Sequence, residues 1–145
     1  MLVPELIIND VPISCINQAA VMYRVPASLI ISVLRTENGR KGMAKANSNG
    51  SFDYGPMQIN TIWVKSLEKS GLTIDDIQNN PCINIMVGSW ILSQSISKAP
   101  NQWKGVGDYH SHTYVFNQKY QHKVLDNYKV INSVINGPDN DHNLK

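Results

Sequence analysis

What the chain lacks narrows its class before what it holds. There is no run of eighteen apolar residues, so no segment reads as a membrane-spanning helix. The opening Met1-Leu2-Val3-Pro4-Glu5 has no basic stretch followed by an apolar one, so no signal peptide is visible. Either the protein is cytoplasmic or the sequence begins after a removed signal. Charge is sparse: 17% of residues carry it and the net is +2 at pH 7, too little to argue for nucleic acid, though a weak basic bias suits an anionic surface. No repeat, low-complexity tract, domain linker or Gly-rich phosphate loop is present. His110-Ser111-His112, with Asp108 and His122, lacks the spacing of a zinc site, so neither a metal nor another cofactor is expected.

Cysteine is limited to Cys15 and Cys82, 67 positions apart, and Cys15 has no matching histidine signature for a thiol nucleophile. The two are either buried free thiols or a disulfide, which would stabilise by about 4 kcal/mol in the chain-entropy model. The disulfide is the expectation.

The remaining composition, 145 residues with 42% hydrophobic, suits one globular domain. Residues 1–10 read as an irregular lead-in. Asp10 is placed to cap a helix from Val11 to Tyr23, with Pro12 in its first turn. Pro26 opens a second, apolar helix at its first position, and Gly39 suits the left-handed residue just past its end. Asn49-Gly50 marks the turn of a β-hairpin over 47–59. Asn60 or Thr61 caps a helix that stops at Gly71, and Thr73-Ile74-Asp75-Asp76 reads as a capping box. Asn80-Pro81 starts a largely buried helix running to Lys98. Residues 103–113, with Gly105 and Gly107, read as a weak helix or loop, and a long helix follows over 114–135. The fold class is therefore mainly α, one domain over 1–135 with a small β insertion, followed by a polar, disordered tail over 136–145.

The second helix carries the sharpest chemical signal. Ile30, Val33, Leu34 and Glu37 fall at i, i+3, i+4 and i+7, which puts a carboxylate on an aliphatic stripe. Burial raises the pKa of such a group, and a carboxyl still protonated near neutrality can act as a general acid. The alternative is an ordinary glutamate at a helix end, paired with Arg35 or Arg40.

Four stretches then occur in order: Glu37-Asn38-Gly39, Asn49 to Asn60 with its Gly55-Pro56-Met57-Gln58-Ile59-Asn60 core, Pro81-Cys82-Ile83-Asn84-Ile85, and Trp103 to Ser111. Together they resemble the specialised lytic transglycosylases that accompany type III and type IV secretion systems and conjugative pili. The resemblance covers roughly residues 12–130. It implies a lysozyme-like α-domain with a glycan-binding cleft beside the β-hairpin, working in the periplasm as a monomer on peptidoglycan strands near a secretion or pilus apparatus. It also implies cleavage of the MurNAc-β-1,4-GlcNAc bond with a 1,6-anhydro product, Glu37 acting first as acid and then as base. Two alternatives stand beside it: a hydrolytic muramidase using Glu37 and Asp53, and a non-catalytic peptidoglycan-binding assembly factor.

The family commonly has serine after its glutamate, where this chain has Asn38, whose amide both donates and accepts. Asp53 is either a second catalytic carboxylate or a support for the Asn49-Gly50 turn. Gln58 and Asn60 are candidates for bonding substrate acetamido groups, and Met57 for packing beneath them. Tyr109 and Tyr120 match family tyrosines near the glutamate; each is otherwise a core tyrosine bonded to backbone. Trp63, Trp90 and Trp103 either stack on sugar rings or fill the core.

Overall fold

The computed structural model describes residues 4–136, and among these seven α-helices pack around one apolar core. At its centre lies α2 (Ala27–Glu37), with Leu29 through Leu34 all buried. A helix apolar on every side is stable only when covered on every side. Here α1 (Ile13–Tyr23) and α7 (Tyr114–Asn136) cover it. The second long core helix, α5 (Pro81–Lys98), packs against α1 and against α6 (Gln102–His110), which in turn leans on α7. Asn80 starts α5 as the sequence indicates: its side chain accepts from the Ile83 amide at 3.1 Å, and Pro81 occupies the first turn. A disulfide joins Cys15 to Cys82 with Cα atoms 5.4 Å apart, tying α1 to the start of α5.

The β insertion is larger than a hairpin. Strands β3 (Ala44–Ala46), β4 (Phe52–Tyr54) and β5 (Ile59–Asn60) form an antiparallel sheet in that order, with Lys45 opposite Asp53 and Asp53 opposite Asn60. Asn60 then caps a 3-10 turn (Thr61–Trp63) by accepting from the Ile62 amide, and α3 (Val64–Glu68) follows. The capping box at Thr73 and Asp76 opens α4 (Ile74–Asn79). The lysozyme-like fold class, mainly helical with a small β insertion, is what the structure has.

Local expectations differ in four places. The lead-in is ordered: β1 (Ile7–Ile8) pairs with β2 (Val11–Pro12) across a turn in which Asn9 and Asp10 both take positive φ. That is primed-turn geometry, which Asn and Asp tolerate best after glycine. It removes Asp10 from capping; its carboxylate accepts from the Lys41 amide, and Glu5 instead accepts from Ser14 in the first turn of α1. Pro26 precedes α2 instead of occupying its first position. The left-handed residue that ends α2 is Asn38 (φ 55°), not Gly39. Gly39 is there for space: a β-carbon on it would lie 2.1 Å from the Gly55 carbonyl oxygen, where the sheet meets the helix end. Finally, residues 102–110 form a full helix, because Asn101 caps it and Gly105 and Gly107 let it pack tightly. The expected tail at 136–145 lies outside the described residues except for Asn136, the last residue of α7.

Candidate functional site

Glu37 is the last residue of α2, so its carboxyl projects where the helix stops and the sheet begins. The Tyr120 hydroxyl, from α7, donates to Glu37 Oε2. Burial pushes the Glu37 carboxyl up to about 7. The hydrogen bond from Tyr120 opposes that rise, the charge of Asp53 adds to it, and the charges of Lys45 and Lys123 oppose it. With that pKa the carboxyl is half proton-bearing near neutrality, and one edge of the side chain stays open to a cleft, within reach of a ligand.

Around Glu37 the aromatic side chains are layered. Tyr109 and Tyr120 stack with ring centres 6.5 Å apart, and the His110 imidazole lies flat on Tyr120 at 4.8 Å. The Tyr109 hydroxyl donates to the Met57 carbonyl oxygen at 2.8 Å, joining α6 to the sheet side of the cleft. Burial, reinforced by the Glu37 charge, holds both phenols well above their ordinary range, so both remain donors. Burial and the charge of Lys123 together press the His110 pKa down.

The sheet supplies the opposite wall. Asp53 on β4 accepts from the Asn60 side-chain amide at 2.9 Å, and the same amide donates to Ser51 Oγ at 3.1 Å. Asn60 is therefore spent on shaping the loop, since its oxygen already caps the 3-10 turn. Gln58 takes a left-handed backbone (φ 55°) and donates to the Gly55 carbonyl oxygen at 2.9 Å, with its side chain along the cleft. Met57 is fully buried beneath, against Gly88 of α5, where even one added carbon would come within 2.8 Å of it. Asn38 stands apart from the cleft: its side-chain oxygen accepts from Asn9 at 3.1 Å, fastening the N-terminal hairpin to the end of α2.

Two adjoining lobes open beside Glu37, of about 580 and 360 Å³, and Glu37, Asn47, Asp53, Gln58 and His110 line both. A ligand long enough to occupy both lobes must pass the carboxyl. The larger lobe continues along Asn49, Ser51, Asn60 and Trp63. The smaller runs along Lys45, Phe116, Lys119, Tyr120 and Lys123. Trp63 reaches the cleft edge-on to Trp90, their ring centres 5.6 Å apart, whereas Trp103 packs against Tyr128 away from it.

Sequence reasoning missed Asn84, which is wholly buried. Its oxygen accepts from the Met57 amide at 2.8 Å, and its nitrogen donates to the carbonyls of Tyr54 and Ile77 at 2.9 and 2.7 Å. One side chain thus fixes the cleft floor to α4 and α5. An asparagine on an otherwise apolar helix was the available signal. His110 and the lysines of the smaller lobe were missed as well: the histidine was weighed only as a metal ligand, and the lysines come from separate elements that meet only in the fold.

A model of the transglycosylase SLT domain matches residues 14–130. The chain belongs to that family. Among curated SLT relatives, a peptidoglycan-binding-like protein of Escherichia coli O157:H7 is 32% identical over 88% of this chain and 81% of its own length. The invasion protein IagB of Salmonella typhimurium SL1344 is 32% identical over 86% of this chain and 81% of its own. The protein IpgF of Shigella flexneri is 31% identical over 68% of this chain and 66% of its own.

These relatives correct the expectation of an enzyme. Their names speak of peptidoglycan binding and invasion, and none of the three names a lyase or glycosidase. The raised Glu37 pKa follows chiefly from burial, with the charge of Asp53 adding to it, and buried structural networks shift pKa values as catalytic ones do. Asp53 accepts one hydrogen bond from the Asn60 side-chain amide. Neither lytic transglycosylase nor muramidase activity is carried forward for this SLT domain.

Proposed function

We propose that the protein is a non-catalytic peptidoglycan-binding factor of the SLT family, acting in the periplasm where a secretion or invasion apparatus crosses the wall. The observation that carries this reading is the two-lobed cleft centred on Glu37, which suits an extended strand better than a small molecule. Its larger lobe is rich in amide and hydroxyl groups with one indole, the chemistry that grips sugar acetamido and ring surfaces. The protonated form of the Glu37 carboxyl, about half of it near neutrality, gives a hydrogen-bond donor at the centre without burying a charge. The names of the relatives from E. coli and Salmonella support the wall ligand and the invasion setting.

In this reading the residues expected from the sequence divide by role. Glu37, Gln58 and Tyr109 shape the strand's path, and Tyr120 holds Glu37. Asp53 and Asn60 stiffen the hairpin that forms one wall, Met57 is the floor, and Asn38 closes the helix end behind it. The testing experiment is co-sedimentation with purified sacculi, together with mass spectrometry of the supernatant. Saturable binding with no released muropeptides is expected. Release of glycan fragments, or failure to bind sacculi, overturns the reading.

A further inference from the structure

The two lobes differ in charge. No lysine or arginine lines the larger one, whereas the smaller gathers Lys45 from β3 with Lys119 and Lys123 from α7. On α7, Phe116, Lys119, Tyr120 and Lys123 fall at i, i+3, i+4 and i+7, and Tyr120 bonds Glu37, so this stripe is the one that faces the cleft. Two lysines at i, i+4 repel and cost the helix stability. Among the described residues none of the three lysines has a carboxylate within 4 Å; the ion pairs present are Lys104 and His112 with Asp108. Phe116 stands 55% exposed beside them, an apolar surface next to cations that outnumber Glu37 and Asp53, the carboxyl groups lining the same lobe. In a chain of net charge only +2, this is a local excess of positive charge drawn from two separate elements.

We infer that the smaller lobe receives the peptide stem of the strand, with Lys45, Lys119 and Lys123 facing the stem's free carboxylates and Phe116 covering its aliphatic part. The inference rests on the peptidoglycan-binding reading and narrows its ligand to stem-bearing strands. The sugar backbone is uncharged once the lactyl group is amide-linked, so the carboxylates of a strand lie on its stems. A lobe built only for sugar has no use for three cations. The larger lobe, without basic lining, takes the glycan on the other side of Glu37.

Two soluble probes test this: glycan strands with their peptide stems intact, and the same strands stripped of stems by an amidase and then amidated at the lactyl carboxylates that the cut frees. Dissociation constants are measured for the wild type, for Lys119→Gln/Lys123→Gln, and for Lys65→Gln/Lys69→Gln, which removes the same charge from exposed positions outside the cleft. The wild type should prefer stem-bearing strands by roughly fivefold, the scale of two exposed ion pairs. High salt should erase the preference. The Lys119/Lys123 variant should lose it while binding stripped strands as the wild type does, and the Lys65/Lys69 variant should keep it. Equal affinity of the wild type for both probes, or equal loss in both variants, overturns the inference alone. Binding to neither probe overturns the peptidoglycan reading and this inference with it.

Discussion

The Tyr120 hydroxyl donates to the Glu37 carboxyl across 83 positions of sequence, joining the buried helix α2 to the last helix α7 at the centre of the cleft. Because burial raises the Glu37 pKa to about 7, that contact has two forms around neutrality: phenol to neutral acid, and phenol to carboxylate. The expected consequences concern both stability and binding.

Glu37 should make the fold less stable as pH rises. In the unfolded chain its carboxyl ionises at the ordinary value of 4.5, and in the folded protein at about 7. Between these values the folded state holds the extra proton, so this group's contribution falls as pH climbs through the window and is constant above it. The full penalty is at most about 3 kcal/mol. Thermal melts of wild type and Glu37→Gln from pH 4.5 to 8 check this: the variant should gain on the wild type as pH rises. A difference that does not change with pH would refute the shifted carboxyl.

Tyr120→Phe should move the same titration upward. The hydrogen bond from Tyr120 favours the carboxylate, so its loss leaves burial less opposed. The expected cost in stability is about 1–3 kcal/mol at pH 8, where a charged partner is abandoned, and less at pH 5. Carbon-detected NMR of the Glu37 carboxyl, run on both proteins, reports the shift directly.

Asn84 and Ser89 lie one helical turn and a residue apart on α5, both fully buried, and should respond in opposite ways. Asn84→Ala strands the Met57 amide and the carbonyls of Tyr54 and Ile77, so a loss of about 3 kcal/mol or more is expected in urea unfolding. The Ser89 hydroxyl has no hydrogen-bond partner. Ser89→Ala removes an unsatisfied polar group at almost no change in volume, and should be neutral or stabilising by about 1 kcal/mol. A cavity cost at Ser89 similar to that of Asn84 would contradict this account.

The elements that periodicity and caps specify were readable without coordinates. α2 and α5 show their apolar faces outright, and Asn80-Pro81 and Thr73 with Asp76 are local start signals that the tertiary structure had no reason to override. Misreadings fell where a residue's job is set by a distant partner. Gly39 looked like a helix terminator, but it is small because Gly55 passes over it. Asp10 looked like a cap, but its partner is Lys41, 31 positions on. Residues 103–113 read as a weak helix or loop because Gly105 and Gly107 weaken a helix intrinsically, yet each is where another chain segment comes too close for a side chain. The cleft's wall and centre were legible as residue types in order. Its charge asymmetry was not, since Lys45 and Lys123 meet only after the sheet folds back beside α7.

Trp63 offers the most direct probe of the larger lobe. It is the last residue of the 3-10 turn that Asn60 caps, so its position depends on the same side chain that bonds Asp53. One face of its environment is Trp90, which meets it edge-on at 5.6 Å, and the other is the cleft. A sugar ring laid on the indole would change its fluorescence and exclude quencher, whereas a purely structural tryptophan would show neither effect. Titrating stem-free glycan strands into the wild type should therefore protect part of the tryptophan signal from acrylamide. Trp63→Ala should abolish that protection and weaken binding about tenfold, the loss of one aromatic anchor at a binding surface. Trp90→Phe keeps an aromatic edge behind Trp63 and lies outside the lobe, so it should keep both the protection and most of the affinity. If the two variants lose affinity alike, Trp63 is acting through the packing of α5, and the sugar path must be drawn along the Asn47–Ser51 wall instead.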